Sequence, residues 1–390
     1  MTPPLPLNTL SNDSIAVSLT QEMVRTSTVN PPGNERPLAE RLQQVMHRSG
    51  LTTKLYPLSP ERASVVGKLS GNGSRPAFAM VGHIDTVPTG NLSWSFDPFS
   101  GDISNGEVRG RGASDMKGGT AAMIGAAIAV ARSKVELQGD LIVACTAGEE
   151  VDCVGAIDLL SQEVFQDVSA MLLPEPTKMA VWHAEKGSLW LNIVTYGKTA
   201  HGSMPHKGHN AIDQMMTLLP KIQEFPFKES IHPLLGSPTV NIGTIAGGTK
   251  VNVVPDRCEA EVDLRTLPGE DHKEIVHQIE HLAKHNGPSN VPSLELTVLA
   301  DRPAVETDPD DPFVNSVIEA VRSVTEQEVE VGTAPYFSDA AVLIPKLNIP
   351  MILCGPGRPE LAHQPEEYVE VKRVIQAEKA YEILIRNLLG

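Results

Sequence analysis

The chain has 390 residues, 41% of them hydrophobic and 21% charged, with a formal net charge of −16. That length accommodates two domains, or one large domain carrying an insertion, and the composition is that of an ordinary soluble globular protein. The acidic balance argues against a nucleic-acid backbone or an anionic membrane as partner, and the longest apolar run, "AAMIGAAIAVA" at 121–131, is too short to span a bilayer. The opening "MTPPLPLNTLSNDSIAV" has no basic residue before Arg25 and no long apolar core, so no secretory leader is expected. Cys145, Cys153, Cys258 and Cys354 show no CxxC spacing and fit buried thiols in a reducing compartment. A cytoplasmic location is expected.

In chain order, helices are expected over 13–25 and 35–49, separated by the turn "NPPGN" at 30–34. "RASVVGKL" and "PAFAMVG" read as strands, and 116–133 as a helix rich in Ala and Gly. "DLIVACTA" (140–147) and "SAMLLPE" (169–175) read as further strands, with a helix at 153–163 between them. Continuous apolar strands separated by helices indicate a sheet covered on both faces, hence an α/β domain. Near 180 the pattern changes. "SLWLNIVTY" places Leu189, Leu191 and Ile193 on one face and Ser188 and Asn192 on the other, as in an antiparallel sheet with one wet side.

A helix "NAIDQMMTLLPKIQEF" follows, then strands at 238–246 and 258–266, a helix at 270–285 and a strand at 293–300. That β-α-β-β-α-β order is ferredoxin-like. The α/β pattern resumes with a helix at 311–326, a strand at 350–354 and a last helix at 371–388, and the Asp- and Pro-rich segment 301–312 reads as a linker. The expected organisation is a first domain made of 1–179 and 299–390, interrupted by an α+β insertion over 180–298. His47, His232, His272, His277, His281 and His285 read as solvated residues without a role.

The chemistry lies where predicted strands end. In "VGHIDTVP" the apolar run stops at His83, and Asp85 shares its face, since residues i and i+2 point the same way in an extended chain. Asp115, in "GRGASDMKGG", directly precedes the long helix, where an acid is either a cap or a ligand. Glu149 and Glu150 close "TAGEE", Glu175 closes "LLPEPT", and His363 sits in the loop "ELAHQPEEYV". Each also reads as a solvated polar residue when taken alone. Four of these clusters fall where the carboxyl ends of strands form the ligand crevice of an α/β sheet. Two imidazoles and three carboxylates are a donor mixture suited to zinc, cobalt or manganese. One acid, Glu149, is left over, as a hydrolase general base beside a metal would be.

"GHIDTVP", "GRGASDMKGG", "AGEE", "EPT" and "HGSMP" together resemble the M20 family of metallohydrolases, nearest to the acetylornithine deacetylase and succinyl-diaminopimelate desuccinylase group. The resemblance covers the whole chain. It implies a zinc-peptidase-like catalytic domain, its central sheet flanked by helices on both faces, with an inserted ferredoxin-like dimerisation domain. It further implies two divalent ions, zinc first with cobalt or manganese as alternatives: His83 and Glu175 on one, Glu150 and His363 on the other, Asp115 bridging. Asp85 would hydrogen-bond the ring of His83, Glu149 would be the base, and the peptide bond after Asp115 would be cis.

In the inserted domain, His201 of "GKTAHGSMP" is either a surface residue or, by the resemblance, an oxyanion donor lent to a partner's site in a homodimer. Asn252 and Arg265 would bind substrate; Arg265 equally fits an ion pair with Asp263 or Glu261. "GTAPYFSDAAVL" (332–343) departs from the Gly-Gly-Thr-Ser-Asp run of a dedicated succinyl-diaminopimelate desuccinylase, and Tyr336 points to a more apolar pocket. The expected activity is hydrolysis of the linear amide bond of a small N-acyl amino acid, of acetyl or succinyl type. A dipeptidase or carboxypeptidase of the same family, and a non-catalytic small-molecule-binding member, are the alternatives.

Overall fold

The computed structural model describes residues 14–229, 231–284, 294–325 and 327–390; residues 1–13 and His285 lie outside these. The chain forms two compact units. Unit 1 comprises Met1–Ala184, Glu306–Thr333 and Ser338–Gly390, and unit 2 comprises Glu185–Val305 and Ala334–Phe337. No helix among the described residues is long and apolar enough to cross a membrane.

Unit 1 opens with α1 (Ile15–Arg25) and α2 (Arg36–Arg48), then β1 (Thr52–Pro57), β2 (Ala63–Leu69) and β3 (Ala77–His83). Short strands β4 (Ile103–Ser104) and β5 (Glu107–Arg109) precede α3 (Gly118–Ser133), followed by β6 (Leu141–Thr146), α4 (Val154–Ser161), β7 (Val168–Pro176) and β8 (Val181–Glu185). Unit 2 is built from β9 (Gly187–Tyr196), α5 (Ala211–Gln223), β10 (Thr239–Gly247), β11 (Arg257–Thr266), α6 (His272–Lys284) and β12 (Leu294–Arg302). The chain then supplies β13 (Val305–Glu306), α7 (Pro312–Thr325), β14 (Val331–Ala334), α8 (Ala340–Leu347), β15 (Met351–Gly355), β16 (Tyr368–Glu370) and α9 (Val371–Leu389).

The main sheet of unit 1 has the order β1-β2-β6-β3-β7-β15-β8-β13, with β14 pairing β8. Its centre is parallel: β3 runs with β6 and β7, and β15 with β7. Every residue of β3 ("AFAMVGH") and β6 ("LIVACT") is buried, as continuous apolar runs require when both faces are roofed. α3 is one roof. Its Ala- and Gly-rich sequence lets residues 118–128 bury on every side, and a Cβ at Gly119 would run into the Pro174 carbonyl. Parallel strands point their carboxyl ends the same way, and register aligns those ends: His83 pairs with Thr146. Met80 pairs with Leu172, each three residues before His83 and Glu175.

The N-terminal segment is laid alongside the end of β3. Thr86 N–H donates to Thr28 O (3.0 Å), Asn30 N–H to Thr86 O (2.8 Å), and Thr28 Oγ1 to Ile84 O (2.6 Å). "NPPGN" therefore does more than turn the chain.

Unit 2 has the sheet order β10-β11-β9-β12 with antiparallel neighbours throughout, the ferredoxin-like arrangement. Leu189, Leu191, Ile193, Val262 and Leu264 form a core with Met215, Leu218 and Ile275 from α5 and α6. The alternation along β9 is less clean than its sequence implies, because Ser188 is fully buried and its hydroxyl reaches toward Asp263. β12 continues through Arg302 and β13 covers Val305–Glu306, so four of the twelve residues of 301–312 are strand. His272 is buried too: its ring nitrogens pair with Thr266 Oγ1 (2.8 Å) and Asp301 Oδ1 (2.7 Å), fastening the start of α6 to the sheet.

Candidate metal centre

Five elements of unit 1 deliver the site. β3 ends on His83, the turn after β6 carries Glu149 and Glu150, and β7 carries Glu175. Asp115 comes from the turn ahead of α3, and His363 from the loop after β15. Two triads result, His83–Asp115–Glu175 and Asp115–Glu150–His363, each with its donor atoms within 4.8 Å of one another. Asp115 belongs to both. Its Oδ1 is 3.2 Å from His83 Nε2, and its Oδ2 is 3.4 Å from His363 Nε2. His363 Nε2 is also 2.9 Å from Glu150 Oε2. The Asp115–Met116 peptide is cis. Glu149 stands in neither triad, yet it is buried and its Oε2 lies 4.0 Å from His83 Nε2.

The chain balances this concentration of acid with protons. Burial alone would lower the His83 imidazole, but Asp115, Glu149 and Glu175 outweigh it and raise its pKa well above the usual histidine value. Hydrogen bonds to Asp115 and Glu150 push His363 up to about 10. Burial lifts the carboxyl of Asp115, but His363 and His83 reverse that and hold it well below the ordinary range. Glu149 is raised well above its ordinary value by burial, helped by Glu175 and Glu150 and opposed by His83. A pair of divalent cations would take the place of these protons, and the mixed imidazole and carboxylate donors fit such ions.

Buried acids hold the loops in turn. Asp85, fully buried, accepts from Glu149 N–H on Oδ1 (3.1 Å), and on Oδ2 from Glu150 N–H (3.3 Å) and Asn30 Nδ2 (2.9 Å). Its carboxylate is thereby committed to the 149–150 turn. It reaches the His83 ring differently from the sequence expectation: Nδ1 lies 3.1 Å from the Asp85 main-chain carbonyl and 3.6 Å from Oδ1. Either contact fixes the ring so that Nε2 faces Asp115.

Glu367, also fully buried, accepts from the N–H groups of Gly112 (2.9 Å), Ser114 (2.9 Å) and Asp115 (3.0 Å), and from Arg111 Nη1 (2.5 Å). Gly112 itself needs its glycine, since φ is +82° and a Cβ would strike the Thr86 methyl. Sequence reading passed over Asn30, Arg111 and Glu367. Their partners are 55 to 256 residues away, so spacing carried no signal, although the doubled acid in "HQPEEYV" was in view.

Unit 2 holds the remaining residues named from the sequence. His201 is exposed; its main chain bridges Val253, and Gly202 N–H donates to Asn252 O (2.8 Å), so His201 and Asn252 are neighbours. Ser203 sets its N–H (3.2 Å) and its hydroxyl oxygen (2.7 Å) on His201 Nδ1, which leaves Nε2 outside this contact. Arg265 pairs with Asp263 (Nη2–Oδ2 3.0 Å), not Glu261, and its guanidinium lies 5.8 Å from the Phe337 ring centroid. Tyr336 is half-buried beside Phe337 in the four residues that unit 2 takes from the later chain.

Comparison with known proteins agrees with this centre. Residues 79–387 match the model of peptidase family M20/M25/M40. A probable succinyl-diaminopimelate desuccinylase of Staphylococcus epidermidis is 27% identical over 389 residues, covering 93% of this chain and 94% of that protein. An acetylornithine deacetylase of Vibrio atlanticus is 30% identical over 345 residues, covering 86% and 87%. Among solved structures, an M20 family metallo-carboxypeptidase of Sulfolobus solfataricus superposes with a TM-score of 0.79 at 19% identity, covering 95% of this chain and 98% of that one. The shared Asp115, the paired triads and the match over 79–387 lead to one assignment: this chain belongs to the M20/M25/M40 peptidase family of metallohydrolases.

Proposed function

We propose that this protein is a two-zinc amidohydrolase that removes an acetyl- or succinyl-type N-acyl group from a small amino acid. The observation that carries the reading is the division of labour at Asp115. One carboxylate serves two histidine-containing triads, and a second buried acid, Glu149, stays outside both. His83 and Glu175 would hold one ion, Glu150 and His363 the other, and Asp115 both. Cobalt or manganese would satisfy the same donors. Bound there, the cations would polarise the scissile carbonyl and make a nearby water acidic enough to lose a proton near neutral pH.

The remaining work falls to the chain. Glu149 takes that proton on its carboxylate and returns it to the departing nitrogen, from a buried position outside both triads. Asp85 orients the His83 ring and holds the turn that bears Glu149. His201 of a second copy donates through Nε2–H to the oxyanion, while Ser203 engages Nδ1. The working form is accordingly a homodimer joined through the inserted domain. Arg265 grips a substrate carboxylate, with Asn252 and Tyr336 beside the acyl or side-chain group. A cytoplasmic location completes the reading, consistent with four buried thiols.

The choice of deacylase over peptidase rests on the relatives. Those at 27% and 30% identity bear deacylase names, whereas the peptidase names belong to structures at 16–20% identity, which share the fold. A panel of N-acetyl, N-succinyl and N-formyl amino acids, run beside dipeptides with zinc, cobalt or manganese, tests it. An acyl amino acid should give the highest kcat/KM. A dipeptide turned over far faster would reassign the protein as a peptidase, and no metal-dependent hydrolysis of any substrate would leave a binding protein.

A further inference from the structure

We propose that Asn30 is a positioning residue for the Glu149–Glu150 turn, acting through the Asp85 carboxylate. Asn30 precedes the stretch matched by the family model, 79–387, and contributes no atom to either triad. It is 3% exposed, and its side-chain amide donates to Asp85 Oδ2 at 2.9 Å. The other two donors to that carboxylate are the peptide N–H groups of Glu149 (3.1 Å) and Glu150 (3.3 Å). A buried carboxylate with three N–H donors is satisfied and oriented; with two, one oxygen loses its strongest neutral donor and the group can swing about its last torsion. The peptides that would follow that swing carry the proposed base and one proposed ligand.

The placement of Asn30 is set by main chain, not by a rotamer alone. Its own N–H donates to Thr86 O (2.8 Å), Val29 bridges Thr86 in parallel, and Gly33 N–H closes onto Val29 O (3.0 Å). The amide is thereby held against the segment that carries Asp85. A contact from Val87 N–H to Glu150 Oε1 (3.3 Å) also restrains the Glu150 side chain, so loss of the amide should weaken this half of the centre without abolishing it. Groups standing behind metal ligands typically change metal affinity or activity by about 10–100-fold when removed.

The inference rests on the proposed roles of Glu149 and Glu150, and its test separates the two. Full-length protein stripped of metal is titrated with cobalt(II), followed by visible absorption, for wild type, Asn30→Leu and Asn30→Asp. Asn30→Leu keeps the volume and removes the donor. Asn30→Asp keeps the shape and sets a second acid against Asp85, so it decides the matter should the leucine variant fail to fold.

We expect one of the two cobalt affinities to fall by about 10–100-fold while the other holds within a few-fold. At saturating metal, kcat should fall with KM little changed, and the melting temperature of the metal-free variants is measured alongside. A lower melting temperature with both affinities and kcat close to wild type would make Asn30 merely structural and overturn the proposal, as would equal weakening of both sites. If wild type binds two cobalt ions but hydrolyses no amide, the functional reading fails while the affinity comparison still decides the role of Asn30.

Discussion

Unit 1 sets a histidine at the end of a strand and unit 2 sets one in the loop that follows a strand, in opposite surroundings. His83 closes a strand whose seven residues are all buried; it is 2% exposed and held between the Asp85 carbonyl and Asp115. His201 lies on an exposed loop of a unit whose outer strand, β10, is mostly open to solvent, and the ring contacts it has are to Ser203, two residues away. In the first setting a cluster of acids and imidazoles cannot persist without charge compensation, so burial itself argues for ions or shared protons. In the second, water supplies every compensation, and an imidazole acquires a task only when something else arrives. The same residue type carries different information according to what covers it.

The sharpest way to break the contrast is to remove Glu149, the buried acid outside both triads. Glu149→Ala should retain both metals and lose about 10²–10⁴ in kcat, the ordinary worth of a general base. Metal analysis with a site left empty would move Glu149 into a ligand set. Next in size is His201→Ala, expected to cost about 3–4 kcal/mol of transition-state stabilisation with metal content intact. Mixing it with Glu149→Ala should restore part of the activity, because one site of a mixed dimer then has both residues. A fully active monomer, or no recovery between subunits shown to exchange, would return His201 to the status of a surface residue.

The smallest effect is a pH trend. In the metal-free protein the His363 pKa is raised from its ordinary 6.5 to about 10, first by its hydrogen bonds to Asp115 and Glu150. A group raised on folding contributes stability that is complete below its unfolded pKa and is lost as pH climbs through the folded one. The raised carboxyls of Glu149 and Glu150 act in the same sense, since the folded state keeps protons that the unfolded chain releases. The buried Lys117 ammonium, lowered to about 7, acts in the opposite sense, so the His363 contribution is read as the difference between wild type and His363→Gln. Calorimetry on metal-free protein should show that difference in melting temperature decline between pH 6.5 and 10, and zinc should flatten the decline. His201→Ala should show no such decline against wild type. A difference between wild type and His363→Gln that grows over this range would contradict the charge balance described for unit 1.

Much of this was legible in the residues. Apolar runs that stop at His83, Thr146 and Glu175 reveal both the parallel strands and the edge at which their ends meet, because register follows from burial on two faces. The β-α-β-β-α-β order of unit 2 was equally plain from its alternating patterns. Short elements escaped: β4, β5 and β16 have two or three residues each, too few for a periodic signal. β8 (VWHAE) and α8 (AAVLIPKL) escaped because such short segments, broken by His183 and by Pro345, carry no period that tells strand from helix. His272 misled because a histidine at the start of a helix is ordinarily wet, and only Thr266 and Asp301, from other elements, make it structural. Asn30 and Glu367 share that cause: each acts on a partner that the fold alone brings near.

One feature of chain routing has an evolutionary corollary. Unit 2 is not encoded in one stretch: after Val305 the chain leaves it, then returns for Ala334–Phe337 before leaving again. Those four residues supply Phe337, whose ring lies 4.4 Å from the Arg302 guanidinium and 5.8 Å from that of Arg265. A recombination event that exchanged 185–305 between homologous genes would therefore separate the arginines from the aromatic ring that accompanies them. Point changes in 334–337, by contrast, alter the surroundings of Arg265 without touching the inserted segment.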